Sequence, residues 1–135
     1  MNPKPVQEHL RVLLGSTTPA GARRAGRIAD GLNPIAFSAE VVVNLAGIFR
    51  QAAQEAGRDP AGLTVVVRAN VPLTREPLGD GRPFLGGSPR QVAEDLARLE
   101  PAGVDEVFFS NRAADDLDTE LGLLGEVQTA VAAGA

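Results

Sequence analysis

Four small residues that follow a short apolar run have the chemistry of an anion site. The run Val12-Leu13-Leu14 is followed by Gly15, Ser16, Thr17 and Thr18. Thr18 followed by Pro19 is typical of a helix N-cap with proline in the first turn. Backbone N–H groups at a helix N-terminus carry partial positive charge, so those of 15–18, with the hydroxyl groups of Ser16 and Thr17, could hold a phosphate. An ordinary capped strand-to-helix turn is the alternative, and the residues leave both open.

A second candidate is an arginine in the β-branched run 63–70. Arg68 shares a strand face with Thr64, Val66 and Asn70, because side chains alternate along a strand. If that face lines a barrel, Arg68 presents a cation near the mouth for a phosphate or a substrate. The alternative is a structural arginine paired with a carboxylate. Other polar residues that follow predicted strands are Asn33, Ser110, Asn111 and Arg112.

Three further patterns have simpler explanations than ligand binding. Acidic residues surround the start of the last predicted helix, at Asp115, Asp116, Asp118 and Glu120. Carboxylates there favour the helix dipole, and they lack the glycine and the ligand spacing of a calcium loop, so no metal site is predicted. Gly86-Gly87-Ser88 resembles a phosphate loop, but Ser88-Pro89-Arg90-Gln91 is a capping box that explains it. Arg23, Arg24 and Arg27 are interpreted as surface charge, although a phosphate-facing role is conceivable for the first two.

Composition excludes several classes of function. The net charge of −4 argues against a nucleic-acid partner. Without cysteine the chain cannot build a disulfide or a thiolate nucleophile, and with His9 as the single histidine it cannot build a metal site that needs several histidines. No apolar stretch reaches the length of a membrane span, and the N-terminus lacks a basic region before an apolar run. We therefore expect a cytoplasmic protein without a membrane partner.

The chain alternates strand and helix four times. Strands are predicted at 11–14, 31–35, 63–70 and 104–109, with helices at 18–29, 38–57, from Ser88 to about Pro101, and at 117–131. This alternation predicts an α/β fold with parallel strands and right-handed crossovers. Pro34 limits the second strand because it removes a ladder donor. The segment 71–87 is long and rich in proline and glycine, which is more typical of a lid or binding loop than of a spacer.

Several motifs resemble the luciferase-like flavin monooxygenase family. They are the Gly15-Ser16 turn with its arginine-containing helix and Ala29-Asp30-Gly31 ending, then Gly87-Ser88-Pro89 with Val92, then Ala102-Gly103-Val104-Asp105. The resemblance implies one domain over residues 1–135, with four βα units forming half of a (β/α)8 barrel, equivalent to strands five to eight. It also implies an FMN- or F420-dependent oxidoreductase or monooxygenase, with the turn of Gly15, Ser16, Thr17 and Thr18 as cofactor-binding. Arg68, from its place on the strand face, is added to these as a predicted cofactor-binding residue.

The chain departs from that family in lacking the N-terminal half of the barrel. A barrel needs roughly 250 residues, and 135 are present. We therefore expect a truncated or split enzyme that forms a homo-oligomer or pairs with an N-terminal-half partner chain, because a half-barrel leaves two strand edges open. A non-catalytic structural or partner-binding subunit and a degenerate gene product are the alternatives. No catalytic residue is identified.

Overall fold

The chain folds as four successive strand-and-helix units. The computed structural model describes residues 3–4, 6–111 and 114–134. The strands are β1 (Leu13–Gly15), β2 (Gly31–Asn33), β3 (Thr64–Ala69) and β4 (Glu106–Phe109). The helices are α1 (Pro19–Ile28), α2 (Ala39–Glu55), α3 (Pro89–Ala97) and α4 (Leu117–Gly134), with short 3-10 turns at Pro60–Gly62 and Glu100–Ala102. The predicted alternation is confirmed.

The four strands form one parallel sheet in the order β1-β2-β3-β4. This order confirms the placement of the weak second strand between the first and the third. Gly15 aligns with Asn33, and Arg68 aligns with Phe108. Because all strands run the same way, their carboxyl ends meet at one edge of the sheet, which we call the mouth.

The two faces of the sheet have different surroundings. Val65, Val67 and Ala69 alternate along β3 and are fully buried in the core formed with the helices. The residues between them are only half-buried. We call this second face the open face, and by strand alternation and register it carries Leu13, Asn33, Val66, Arg68 and Phe108. One side of the sheet is therefore a packed core, while the other is left accessible.

Helices α1 and α2 pack closely because small residues lie between them. Ala22, Ala25 and Gly26 are buried on α1. A Cβ at Gly26 would lie 2.3 Å from the carbonyl oxygen of Phe49, so only glycine allows this approach. The bulky Phe49 side chain is itself fully buried in the same core. These contacts hold the first two units together.

The predicted inward face of the last helix is partly wrong. The helical spacing of apolar residues in 117–131 predicts that Leu117, Leu121, Leu124 and Val127 point inward, but Leu117 and Leu121 are 70% and 56% exposed. The buried residues are Leu123 and Val127, which pack with Leu73 and Val92 of the third unit. Since α4 has α3 as its main packing partner, the flank of α4 that carries Leu117 and Leu121 is left largely exposed.

A side chain replaces a missing backbone donor between β2 and β3. Both backbone groups of Arg68 pair with the segment after β2. The N–H donates to Pro34 O at 2.9 Å, and the carbonyl accepts from Ala36 N–H at 3.0 Å. In a parallel ladder the next donor, to Val66 O, would be the N–H of residue 34, which proline lacks. Asn33 Nδ2 supplies that bond instead, at 2.5 Å. The Asn33 amide is thus committed to the sheet.

We predict that Asn33→Ala lowers the free energy of unfolding by about 1–3 kcal/mol, because it leaves the Val66 carbonyl unsatisfied in a half-buried position. Pro34→Ala restores a backbone N–H, so the loss from Asn33→Ala should be smaller in the Pro34→Ala background. Urea unfolding of the four members of this double-mutant cycle measures the coupling. If the stability losses of the two single variants simply add in the double variant, the Asn33 side chain does not replace the backbone donor that Pro34 lacks.

Two aspartates connect neighbouring strands by paired hydrogen bonds at the amino-terminal ends of the strands. Asp30 Oδ2 accepts from Val12 N–H at 2.8 Å, while Asp30 N–H donates to Val12 O at 2.9 Å. Asp105 does the same with Val65, at 2.8 and 3.0 Å. Each aspartate thus ties the start of its own strand to the preceding strand. Both aspartates lie at the end of the sheet opposite the mouth. In a barrel, residues at that end contribute to stability, so we interpret both as structural residues.

The Val12 backbone bond, followed by the hydrogen bond from His9, lowers the pKa of Asp30 below its usual 3.8. A carboxyl with a depressed folded-state pKa stabilises the fold above its unfolded pKa, and that contribution is lost as pH falls through the folded value. The stability difference between the wild-type protein and Asp30→Asn should therefore be constant near neutral pH and shrink below about pH 4. Unfolding curves against pH measure it, with Asp80→Asn on the exposed loop as a control. A difference that stays constant into acid would contradict the assignment.

Candidate functional site

The turn between β1 and α1 lies at the mouth and is ordered by its own hydroxyl groups. Ser16 Oγ accepts from Thr18 N–H and donates to Thr18 O, each at 3.1 Å. Thr18 Oγ1 accepts from Gly21 N–H at 3.2 Å, which confirms Thr18 as the N-cap. A Cβ at Gly21 would lie 1.9 Å from Ser16 Oγ, so glycine is required for the serine to sit over the helix end. The turn is built in advance of any ligand.

The same bonds show which donors of the turn remain available. Thr18 N–H and the Ser16 hydroxyl are occupied within the turn. In the part of the chain described, Thr17 has no bonded acceptor for its N–H or its hydroxyl. Ala20 belongs to the first helical turn, whose N–H groups have no intrahelical partner. Thr17 and the end of α1 are therefore the available donors, with Ser16 and Thr18 holding them in place.

Arg68 lies on the open face with one buried donor unsatisfied. Its Nε atom is buried without a hydrogen-bond partner, and its guanidinium lies 5.9 Å from the centre of the Phe108 ring on β4. Arg68 makes no ion pair with a carboxylate within the described residues. The alternative of a structural arginine held by a carboxylate has no support in this geometry. A buried polar donor without a partner is costly, so an anion accepting from Arg68 would be favoured.

The turn after β1 and Arg68 both lie at the mouth end of the sheet. The register pairs Gly15 with Asn33 and Leu32 with Val65, which puts Gly15 level with Val66 on β3. Arg68 therefore lies two residues nearer the carboxyl edge than that level, at the edge where residues 16–18 follow β1.

The other polar residues predicted at the strand ends differ in their partners. Asn33 is committed to Val66 O, as described above. Asn111 Nδ2 donates to Glu120 Oε2 at 2.9 Å, and the backbone N–H of Ser110 donates to Ala69 O at 2.8 Å. Asn70 is exposed, and Arg112 lies outside the described residues. The geometry thus commits Asn33 and Asn111 to structural contacts.

The long segment between β3 and α3 is fastened to α3 by two polar side chains. The Gln91 amide donates to Leu78 O at 2.8 Å and accepts from Leu78 N–H at 3.0 Å, so it mimics a paired backbone. It also accepts from Ser88 N–H at 3.1 Å, which is one half of the predicted capping box. Leu73 bridges to Gly87 as a parallel pair. These contacts favour a fixed wall of the mouth over the lid that the sequence suggested.

A buried ion pair completes this fastening. Asp95 is 3% exposed, and its carboxylate receives two bonds from Arg82, at 2.6 and 3.1 Å. The hydrogen bond to Asp95 raises the pKa of Arg82. Asp95 also accepts from Leu85 N–H at 2.8 Å, and Leu85 is a fully buried non-glycine residue with φ of +64°. The pair therefore holds a strained backbone position in the core.

We predict that Asp95→Ala destabilises the fold by about 3–5 kcal/mol, because the Arg82 side chain, only 21% exposed, loses its carboxylate partner and the buried Leu85 N–H loses its acceptor. The exposed i,i+4 pair Arg90 with Glu94, at 3.2 Å, offers a matched control, and Glu94→Ala should cost less than about 1 kcal/mol. Chemical unfolding measures both changes. Equal losses from the two substitutions would show that the buried pair has no special role.

The acidic residues near α4 act as helix caps. Asp116 accepts from the N–H and the hydroxyl group of Thr119, both at 2.7 Å, and these bonds lower the pKa of Asp116. Glu120 receives the Asn111 amide. The described residues contain no group of three or more histidine, cysteine, aspartate or glutamate side chains placed to hold a metal ion. Nor is any helix in the described ranges long and apolar enough to cross a membrane.

Comparison with known proteins assigns the fold and the family. The structure resembles an F420-dependent secondary alcohol dehydrogenase in complex with an F420-acetone adduct, with a TM-score of 0.77 and 17% identity over 95% of this chain and 50% of that chain. It also resembles the coenzyme F420-dependent tetrahydromethanopterin reductase of Methanopyrus kandleri, with a TM-score of 0.73 and 16% identity over 89% and 50% of the two chains. The monooxygenase RslO1 of Streptomyces bottropensis matches with a TM-score of 0.56 and 20% identity over 83% and 44%.

These likenesses define an α/β protein that forms half of a luciferase-like (β/α)8 barrel. The chain spans about half the length of the first two structures. A model of the luciferase-like monooxygenase family matches residues 1–77. This match covers more than half of the chain, and the chain therefore belongs to the luciferase-like monooxygenase family. No curated protein matches it.

Proposed function

We propose that this protein is the phosphate-anchoring half of a flavin-type oxidoreductase or monooxygenase, working in the cytoplasm as one domain over residues 1–135. Its cofactor is FMN or F420, whose phosphate is bound by Gly15, Ser16, Thr17, Thr18 and Arg68. The observation that carries the proposal is the buried Nε of Arg68 without a partner, at the same edge of the sheet as a preformed helix N-terminus. Both features supply donors and positive potential, as a phosphate requires.

Each residue of the proposed site has a distinct role in it. Gly15 ends β1 with its backbone exposed at the mouth, where a phosphate can approach. Thr17 donates through its N–H and hydroxyl, while Ser16 and Thr18 fix the turn. Arg68 faces the phosphate from β3, with its guanidinium set against the Phe108 ring. A bound flavin or deazaflavin would supply the redox chemistry, and the protein supplies binding, orientation and exclusion of water.

Association through the open strand edges forms the second part of the proposal. The described sheet leaves one edge of β1 and one edge of β4 unpaired, and unpaired edges favour pairing with another chain. A second half-barrel, from a copy of this chain or from an N-terminal-half partner, would complete the pocket. If the cofactor does not bind, the same edges favour a structural half-barrel subunit without catalysis.

Ser16→Asp with Thr17→Asp tests the phosphate site. The two carboxylates place negative charge against the phosphate and remove donors, so binding of FMN or F420 should weaken by at least about tenfold. Stability should change much less, because Thr18 still caps α1. The measurement is a titration of purified protein by flavin or deazaflavin absorbance and fluorescence, alone and with any N-terminal-half partner.

Asn44→Asp with Gln54→Asp is the matched control, because both residues are exposed on α2 away from the mouth. This control changes the net charge equally and should leave the cofactor dissociation constant unchanged. Failure of the unaltered protein to bind either cofactor in both conditions would overturn the cofactor proposal. The structural-subunit alternative would then take its place.

A further inference from the structure

The β4 side of the half-barrel is an open groove with an apolar wall and acidic residues. The groove has a volume of about 1030 Å³ and lies between β4, the end of α3 and α4. Leu124, Val127 and Val131 of α4 form its wall, and Val131 is 41% exposed. Its charged lining residues are Glu100, Asp105 and Glu106, and none is basic. The exposed Leu117 and Leu121 continue the apolar surface along α4.

The β1 side has the complementary properties. Val12 and Leu13 at this edge are 51% and 39% exposed, and Ile28 at the end of α1 is 64% exposed. Helix α1 carries three arginines and no acidic residue. These are Arg23, Arg24 and Arg27, and all three are exposed and make no ion pair within the described part of the chain. One edge of the sheet is therefore apolar and basic, while the other is apolar and acidic.

The strand count and direction allow these edges to meet in a second copy. The chain matches half of an eight-stranded barrel, and its four strands are parallel. If β1 of each copy pairs in parallel with β4 of the other, two copies give eight parallel strands around a two-fold axis. Such a ring closes completely, so no strand edge remains exposed.

We infer that two copies of this chain close into one two-fold symmetric barrel, in which the β1 edge and α1 of each copy occupy the β4 groove of the other. Val12 then packs with Leu124 and Val131 of the second copy. The arginines of α1 approach the carboxylates of the groove. This inference rests on the proposed association through the open edges, and it is independent of the cofactor.

A symmetric pairing of like edges fits the same surfaces less well. Two β4 edges related by a two-fold axis would pair antiparallel and would bring two grooves with acidic and no basic lining residues towards one another. Like charges brought together across an interface disfavour association. That arrangement would also leave both β1 edges exposed. The charges and the number of strand edges left exposed therefore both favour pairing of β1 of each copy with β4 of the other, which we call the head-to-tail closure.

Two charge-reversal variants test this geometry. Arg24→Glu with Arg27→Glu changes the basic side, and Glu100→Arg with Glu106→Arg changes the groove. Sedimentation velocity of the wild-type protein should show a species of twice the 14.0 kDa chain mass. Either variant alone places like charges at both interfaces of its dimer, so its dissociation constant should rise by about tenfold or more.

An equimolar mixture of the two variants provides the sharpest readout. In the mixed dimer one interface is wild-type and the other has both charges reversed, so the dimer should return to near wild-type affinity. Arg75→Glu with Arg90→Glu, on exposed residues away from both edges, is the control for net charge and should not change the dimer. Circular dichroism of each variant confirms folding, and raised salt should weaken the wild-type dimer.

The outcomes separate this inference from the proposed function. A wild-type protein that stays monomeric at high concentration overturns both the closure and the proposed self-association. A dimer that ignores the reversals, or is not restored by mixing, overturns the closure but keeps self-association. Assembly that grows with concentration beyond two copies shows head-to-tail contacts that do not close, and also overturns it. Cofactor binding measured separately decides the phosphate site.

Discussion

The structure depends on a four-stranded parallel sheet that is covered by helices on one face only. The buried side chains of β3 alternate with half-buried ones, and the core lies entirely on the helix side. A parallel sheet is ordinarily covered on both faces, so the open face and the two unpaired edges determine what else this chain must do. They make Arg68 accessible to a ligand, and they leave surfaces that a second half-barrel would bury.

Within this frame, polar side chains replace backbone pairing at several places. Asn33 supplies the donor that Pro34 lacks, Asp30 and Asp105 tie neighbouring strands together at their amino ends, and Gln91 pairs with Leu78 as a strand would. Asn33 and Asp30 fix the backbone where the ladder is short, since β1 and β2 have three residues each. The mouth can then present the turn before α1 and Arg68 in fixed positions.

Local patterns in the sequence predicted the fold in detail. Four strands, four helices, their order and three helix N-caps at Thr18, Ser38 and Ser88 follow from periodicity and capping residues. The inward face of α4 was predicted incorrectly, because its sequence has apolar residues on adjacent flanks and only the position of α3 decides which flank is buried. Leu117 and Leu121 are therefore left exposed.

The candidate site was predictable in its location but not in its hydrogen bonds. The end of a strand followed by a capped helix marks the mouth, and Arg68 follows from strand alternation. The use of Ser16 within the turn depends on its close contact with Gly21, which the sequence does not display. One feature of the sequence could have indicated the bond from the Asn33 amide to Val66 O. The adjacent Pro34 lacks an N–H group, and a missing ladder donor requires a substitute. The lack of a carboxylate beside Arg68 emerges only from three-dimensional packing.

The central claim is that the mouth binds the phosphate of a flavin-type cofactor. The most direct measurement compares FMN with riboflavin, and F420 with its phosphate-free deazaflavin core, for the wild-type protein and for Arg68→Met. The account predicts that the phosphate strengthens binding of one of these pairs by at least about tenfold, and that Arg68→Met removes most of that advantage. Equal affinity for the phosphorylated and phosphate-free forms would contradict it.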